Sequence, residues 1–332
     1  MNRTGAVLPI RCLQWMLLIG FVTLADAQQP ATHSDAQQPA THSGDDTLFA
    51  SPTRKDHIGR IVVPVMINGQ GPFRFIVDTG ASHSTVSPQL AVTLGLQPTD
   101  DSLIKINGIT GTAQVPSVVI DKLKAGDLIY KDARLPIVWA PLMAGADGIL
   151  GVAGLKTERL LVDFVHDRVT ISRAGVSTPL GFVRIPALRL TSGLITVDGR
   201  VGGIRVRAVV DTGSERSLGN LALRDALHGW RHSEPAPKVP KVTEVYGSTS
   251  DIVQGEMIRA PVISLGPVKI AGVTLIFGDF HIFEVWNMEA KPALIIGMDI
   301  LGSVRSLGID YRSQDLYLEG IYLGVRTGTR LP

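Results

Sequence analysis

Short apolar runs separated by glycine-containing turns dominate the chain from Ile58 onward. The first two, Ile61–Ile67 and Phe73–Val77, flank a turn at Asn68–Gly71. Two β-prone runs joined through Asn-Gly are typical of a β-hairpin. The pattern therefore predicts a fold assembled from short β-strands.

The hairpin pattern recurs in a frame shifted by 133 residues, and each copy leads to the triplet Asp-Thr-Gly. In the first copy the triplet is Asp78–Gly80. In the second, the runs Leu194–Val197 and Ile204–Val210 flank Gly202-Gly203 and lead to Asp211–Gly213. We interpret the chain as a tandem duplication.

The two copies also continue alike beyond the triplets. A short helix is predicted after each, opened by Ser87 with Pro88 in the first copy and by Asn220 in the second, because these residues favour N-cap and first-turn positions. An apolar-apolar-Gly element and an Asp-containing strand then end each copy: Ile149–Gly151 with Val162–Phe164, and Ile295–Gly297 with Ile309–Tyr311. The seam between the copies is predicted near residues 174–186.

The first 55 residues differ in character from the repeat. Arg3 and Arg11, an apolar run over 13–24 and the small-x-small end Ala25–Ala27 predict a secretory signal peptide over residues 1–27. A perfect nine-residue duplication from Asp26 to Ser43 follows, and its polar, proline-containing composition predicts a disordered linker over residues 28–55. We therefore expect an exported protein, periplasmic or secreted, with membrane attachment only if the N-terminal segment stays uncleaved.

Composition and charge remove several classes of function. The 332 residues carry 32 Lys and Arg against 30 Asp and Glu, a net charge of +2, which does not suit a nucleic-acid-binding protein. The single cysteine, Cys12, lies in the predicted signal peptide, so a disulfide scaffold and a zinc site of several thiolates are excluded. The histidines show no metal-ligand spacing. We expect neither a metal nor a cofactor.

Two Asp-Thr-Gly triplets at equivalent points of a repeat indicate paired carboxylates. Each follows an apolar strand that would deliver its aspartate, Asp78 or Asp211, from a buried sheet to one place near a pseudo-twofold axis. Two carboxylates a few ångströms apart share one proton, so one can accept a proton from water while the other donates one to a substrate carbonyl. Amide hydrolysis through a tetrahedral diol would then be possible without a metal.

Two other interpretations of these segments are possible. The aspartates could simply cap tight turns, although capping does not explain the apolar strand before each one. A Ser-His mechanism at His83 and Ser84 is disfavoured, since adjacent turn residues rarely face each other and no Gly-x-Ser-x-Gly elbow occurs. The aspartates near the apolar-apolar-Gly elements are interpreted as turn and cap residues: Asp147, Asp163, Asp299 and Asp310.

At these residues the chain resembles a known family. The segment Ile61–Gly95 is similar to bacterial retropepsin-like aspartic proteases, and Ile149–Gly151 and Ile295–Gly297 are similar to that family's second signature. Two such units in one chain resemble the bilobal pepsin arrangement. The resemblance implies an all-β fold with short helices and two β-barrel lobes, over residues 56–180 and 181–332, related by a pseudo-twofold axis.

The resemblance also implies roles for single residues. Asp78 and Asp211 would form the catalytic dyad. The glycines would let the backbone donate N–H bonds to the carboxylates, and each threonine hydroxyl would bond across to the opposite loop. The supporting residues are therefore Thr79, Gly80, Thr212, Gly213 and Ser214.

Family members also carry hairpin flaps that close over substrate. The candidate tips here are Gly108 with Gly111 in the first copy and Tyr246 with Gly247 in the second. Glycine-rich tips suit mobile lids, but ordinary hairpin turns remain an open alternative. Pepsins carry their Tyr-Gly pair in the first lobe, so no role for the Tyr246 hydroxyl is implied.

The residue after each triplet affects the expected pH dependence. Ala81 follows the first triplet and Ser214 the second. A hydroxyl beside a carboxylate lowers its pKa, and only one lobe offers one. We therefore expect an activity optimum in the mildly acidic range.

These inferences predict an aspartic endopeptidase that acts on polypeptides as a monomer. Two alternatives remain at this point. The chain could be a non-catalytic peptide-binding module on the same fold, although both triplets are intact. It could also be a protease anchored by an uncleaved N-terminus, acting on envelope proteins.

Overall fold

The computed structural model describes residues 47–52, 54–55, 59–98, 103–126, 128–138, 143, 145–155, 157–173, 181–228 and 241–321. The predicted signal peptide, the nine-residue repeats and residues 174–180 of the predicted seam lie outside them.

Strands dominate both copies of the repeat. Those up to residue 173 are β1 (Thr47–Pro52), β2 (Arg54–Lys55), β3 (Ile61–Ile67), β4 (Gln70–Val77), β5 (Thr85–Val86), β6 (Ile104–Asn107), β7 (Thr112–Val115), β8 (Ser117–Ala125), β9 (Leu128–Pro136), β10 (Gly148–Leu150), β11 (Glu158–Asp163) and β12 (Arg168–Arg173). One helix, α1 (Pro88–Thr93), lies between β5 and β6.

The second copy repeats this order with additions. Its strands are β13 (Phe182–Arg189), β14 (Ile195–Val201), β15 (Ile204–Val210), β16 (Leu218–Gly219), β17 (Lys241–Tyr246), β18 (Ile252–Arg259), β19 (Ile263–Leu265), β20 (Val268–Ile270), β21 (Thr274–Phe277), β22 (Ala293–Ile296), β23 (Val304–Asp310) and β24 (Asp315–Ile321). Its helices are α2 (Leu221–His228), α3 (His281–Val285) and α4 (Met298–Leu301). The protein is therefore mostly β with short helices, as predicted.

The predicted linker over residues 28–55 extends too far at its C-terminal end. β1 pairs antiparallel with β12, and β2 pairs antiparallel with β3. Residues Thr47–Pro52 follow the polar repeat and include Leu48 and Phe49, so their composition differs from that of the repeat. Backbone pairing with the end of the first copy orders this segment.

Both predicted hairpin turns and both predicted helix starts are confirmed. Asn68 and Gly69 have positive φ values of 49° and 80° between β3 and β4, as a two-residue primed turn requires. Gly202 and Gly203 do the same between β14 and β15. The caps also form: Ser87 Oγ accepts from the Leu90 N–H at 3.1 Å, and Asn220 Oδ1 from the Leu223 N–H at 2.9 Å.

Each copy places its apolar-apolar-Gly strand between two other strands of its sheet. β10 lies between β4, to which it runs parallel, and the antiparallel β5. β22 lies in the same way between β15 and β16. All four residues of β22 are buried, which explains why this element is continuously apolar. The pairing with β10 and β22 extends to Val77 and Val210, the last residues of β4 and β15.

A sheet built from both copies joins the two lobes. Its strand order is β1-β12-β11-β23-β24-β13, and β11 pairs antiparallel with β23 so that Leu161 lies opposite Gly308. The turns after β11 and β23 are alike, since Asp163 and Asp310 each accept two N–H bonds from the turn that follows. This confirms these two aspartates as cap residues.

Apolar side chains of both lobes form one continuous core that includes Val77 and Val210. Within the described ranges, no helix is both long and apolar enough to cross a membrane. In the same ranges, no three His, Cys, Asp or Glu side chains are grouped so that they could hold a metal ion.

Candidate active site

The two Asp-Thr-Gly triplets lie against each other where β4 and β15 end. Each is fixed to the middle strand of its own copy: the Asp78 N–H donates to Leu150 O at 3.1 Å, and the Asp211 N–H donates to Ile296 O at 3.0 Å. The two triplets, which are 133 residues apart in the sequence, therefore lie side by side in the fold. This is the juxtaposition that the repeat predicted.

Four hydrogen bonds between buried groups join the two loops. Thr79 Oγ1 donates to Val210 O and Thr212 Oγ1 donates to Val77 O, both at 2.7 Å. The same hydroxyls accept from the opposite backbone, Thr79 Oγ1 from the Thr212 N–H at 3.0 Å and Thr212 Oγ1 from the Thr79 N–H at 3.1 Å. The predicted bonding of each threonine across to the other loop is confirmed.

Glycine is required in both triplets because a carboxylate occupies the space beside it. A methyl group at Gly80 would overlap the Asp211 carboxylate, and one at Gly213 would overlap that of Asp78. Each glycine N–H also donates to the aspartate of its own loop, Gly80 to Asp78 at 2.8 Å and Gly213 to Asp211 at 2.9 Å. Each carboxylate is therefore enclosed by its own loop and by the opposite one.

Burial and mutual repulsion bias this pair toward holding a proton. Burial raises the pKa of both aspartates above the ordinary range, and the negative charge of Asp78 raises that of Asp211 further. The Gly80 N–H, and the positive charge of Arg60, offset part of this rise in the pKa of Asp78. Asp211 is also the more buried of the two, with 6% of its surface exposed. The pair therefore holds a shared proton at a pH where isolated aspartates are ionised.

Ser214 acts differently from the sequence-based expectation. Its hydroxyl donates to Arg216 O at 2.8 Å, whereas its backbone N–H donates to Asp211 Oδ1 at 3.1 Å. The side chain is directed into its own turn, so it does not supply the hydroxyl that was expected to lower the pKa of the carboxylate. In both lobes the residue after the triplet acts through its backbone N–H, because the Ala81 N–H lowers the pKa of Asp78 as the Ser214 N–H lowers that of Asp211.

The raised pKa of Asp211 has a measurable effect on stability. A carboxyl whose pKa is higher in the folded than in the unfolded state contributes stability below its unfolded pKa of about 3.9, and this contribution is lost as the pH rises through the folded value. We expect the Asp211→Asn variant to melt at a higher temperature than the wild type at pH 7, with the gain vanishing near pH 3. Melting curves at both pH values measure this.

The control for this experiment is Asp198→Asn, because the Asp198 side chain is 72% exposed. That variant should show no comparable gain between pH 3 and pH 7. A gain for Asp211→Asn that is equal at both pH values, or a loss at pH 7, would contradict the assignment.

The apolar-apolar-Gly elements pack behind the triplets, and two serines hold them there. The Gly151 N–H donates to Ser84 Oγ at 3.1 Å, and the Gly297 N–H donates to Ser217 Oγ at 2.9 Å. A methyl group at Gly151 would overlap the backbone of His83. Ser84 and Ser217 were missed as site residues, although each follows its aspartate by six positions, a recurrence that could have identified them.

Two further charged residues support the loops. Asp299 accepts from the Ser217 hydroxyl at 2.6 Å and from the Ser217 N–H at 3.1 Å, which confirms its interpretation as a structural cap. Arg60 is 5% exposed and carries a positive charge close enough to lower the pKa of Asp78. No motif marked Arg60 in the sequence, because its place beside Asp78 depends on tertiary structure.

The candidate flap tips of the two copies meet each other. Gly108 contacts Ser248, Gly247 contacts Thr110, and the hydroxyl oxygens of Thr110 and Thr249 lie 3.1 Å apart. Both tips are glycine-rich because the opposing hairpin comes too close for a larger side chain. The loops therefore form a bridge between the lobes rather than two separate turns.

The other flap candidates lie at the sides of this bridge. Gly111 contacts Asp251 of the opposite hairpin. Tyr246 is 50% exposed and donates its hydroxyl proton to Glu244, a neighbour on its own strand. The Tyr246 hydroxyl is thus used locally.

Comparison with known families agrees with this geometry. A family model described as Aspartyl protease matches residues 63–153 and residues 197–300. Each match contains one triplet and one apolar-apolar-Gly element. Comparison with curated proteins gives no match. Because the two family matches together cover more than half of the chain, the protein belongs to the aspartyl protease family.

Proposed function

We propose that the protein is an aspartic endopeptidase that hydrolyses peptide bonds with a water molecule activated between Asp78 and Asp211. The observation that carries this proposal is the mutual enclosure of the two carboxylates, each lying against the glycine of the opposite triplet. Because one chain supplies both triplets, we also propose a monomer, for which a solution mass of one chain is expected.

Asp211 is more deeply buried than Asp78, and this difference suggests which aspartate acts as the acid and which as the base. The ionised Asp78 accepts a proton from the water molecule while the water oxygen attacks the carbonyl carbon of the substrate. At the same time, Asp211 donates its proton to the carbonyl oxygen. The product is a neutral tetrahedral diol. Asp78 then gives its proton to the amide nitrogen, a diol hydroxyl returns a proton to Asp211, and the C–N bond breaks. The dyad regains its starting protonation state.

A second apolar cluster packs beside the first triplet. It comprises Val62, Ile76, Val138, Met143 and Ala146, with Ile106 of the first flap packed against it. Ile76 precedes Asp78 by two positions, and side chains two apart on a strand share a face. Because its five members are buried, this cluster supports the strand that leads to Asp78.

Cleavage of an unfolded protein should show a bell-shaped pH profile with its maximum in the mildly acidic range. The base must be ionised and the acid protonated at the same pH, and burial raises the pKa of both aspartates. Fragment release between pH 3 and pH 7 measures this. A maximum below about pH 3 would contradict the raised pKa values.

A binding experiment separates the enzyme from a non-catalytic peptide-binding module. Two peptides of one sequence would be compared, one with a normal central amide and one with a hydroxyethylene group that resembles the diol. An enzyme complementary to the tetrahedral species should bind the second more tightly by about 10²-fold or more. Equal affinities, together with no cleavage at any pH, would favour the module.

A further inference from the structure

The hairpin β14–β15 of the second copy carries a concentration of positive charge over a surface cleft. The cleft has a volume of about 770 Å³ and is lined by Arg200, Arg205 and Arg207 of the hairpin and by Lys291, which precedes β22. Asp198 is the carboxylate among its lining residues. We refer to this feature as the basic cleft.

The strand register sets two arginines directly against each other. Arg200 lies opposite Arg205 across the hairpin, and Asp198 lies opposite Arg207. Arg207 Nε is 3.2 Å from Asp198 Oδ1, but within the described part of the chain no salt bridge neutralises Arg200 or Arg205. Like charges directly opposite on one face of a sheet are destabilising. The protein therefore maintains an unfavourable charge pair at this surface.

The fold itself does not demand these charges. In the equivalent hairpin of the first copy, Pro64 lies opposite Arg74, and Arg74 is the one charged residue between Ile61 and Val77. The same backbone is thus built there with mainly apolar residues. The positive cluster is a property of the second copy alone, which points to a use beyond folding.

We propose that the basic cleft binds an acidic segment of a polypeptide. Guanidinium groups form paired hydrogen bonds with carboxylates, and Arg200 and Arg205 lie side by side. Arg200 Nη1 donates to Gly203 O at 2.8 Å, which leaves its Nε and Nη2 for a ligand. Ser264 and Asn287 at the wall can hydrogen-bond to a peptide backbone. The volume lies in the range of clefts that enclose ligands much larger than a single ion.

Other anionic partners fit the cleft less well. A membrane presents a flat surface, whereas these cations line a concavity that also contains Asp198. A single-stranded nucleic acid is held by aromatic side chains that stack on its bases, and the lining residues include none. The proposed binding is a property of the second lobe and does not require that peptide bonds are cut.

Fluorescence anisotropy with a labelled glutamate-rich octapeptide tests this proposal. The full chain would carry Asp78→Asn, so that cleavage cannot deplete the peptide and failure of the proposed activity leaves the result unaffected. We expect binding that weakens as salt rises, and little binding of the matching glutamine-rich peptide. The double variant Arg200→Thr/Arg205→Thr should bind the acidic peptide at least about tenfold more weakly, since charged hydrogen bonds are lost.

The matched control is Arg259→Thr, which removes an exposed arginine from β18 of the same lobe. It should leave peptide affinity unchanged. The double variant should melt no lower than the control, because it relieves a like-charge pair. Equal affinities of the double variant and the control would overturn the proposal. So would arginine-dependent binding of inorganic phosphate or of phosphatidylglycerol vesicles without binding of the acidic peptide.

Discussion

An Asp78→Asn variant is expected to lose peptide-bond cleavage by about 10²–10⁴-fold or more, the range that general acid–base catalysis contributes. The carboxamide has the shape of the carboxylate, so its oxygen can still accept the Gly80 N–H that Asp78 accepts at 2.8 Å. It cannot take a proton from water. The fold should therefore remain while the chemistry stops. Cleavage rates at the optimum pH, with circular dichroism as a check of folding, measure this.

Asp147→Asn is the matched control, since Asp147 lies in the same copy but accepts the Arg74 N–H at 2.7 Å, outside the dyad. This variant should cleave at close to the wild-type rate. Retention of most activity by Asp78→Asn would refute the proposed role of Asp78. Loss of activity in both variants together with loss of the fold would show that the assay reports folding rather than chemistry.

A Thr79→Val variant is expected to lose about 2–6 kcal/mol of unfolding free energy, because two buried groups lose their partner at about 1–3 kcal/mol each. Thr79 Oγ1 donates to Val210 O and accepts from the Thr212 N–H, and the residue is 1% exposed. Valine fills the same volume without the hydroxyl. Cleavage should fall as well, since the two loops are then no longer locked together. Urea denaturation at neutral pH measures the change in stability.

Thr79→Ser separates the hydroxyl from the rest of the side chain. Serine keeps the donor and the acceptor and loses only a methyl group, so it should retain most of the stability and activity. A loss for Thr79→Val below about 1 kcal/mol, or an equal loss in both variants, would mean that the bonds across the dyad contribute little.

The features that the sequence predicts correctly are those governed by short-range chemistry. Asn68-Gly69 predicts its own turn, and Ser87 and Asn220 predict their own helix starts, because the interacting groups lie within a few residues. The pairing of Asp78 with Asp211 could be predicted only because the duplication supplies a symmetry. Local pattern and internal repetition together were enough for the dyad.

The features that the sequence does not predict depend on contacts between distant segments. β1, which follows the polar repeat, pairs with β12. The residues near Thr47 contain no signal that predicts this pairing. Burial of Arg60 beside Asp78 likewise arises only in the folded chain. The Ser214 hydroxyl was predicted to lie beside the Asp211 carboxylate, but it donates to Arg216 O instead. This acceptor becomes available only when the turn has formed. Each miss is a case in which tertiary context decides.

The pairing of β11 with β23 makes each half of the chain depend on the other for a strand partner. In either half alone, β11 or β23 would be an exposed edge strand. Its unpaired backbone N–H and C=O groups would readily pair with another chain. The two strands are related by the repeat, so a second identical half could occupy the vacant side with the same register. A severed half should therefore be found as a self-complementary pair, and fusion of the halves allows each one to diverge without losing its partner.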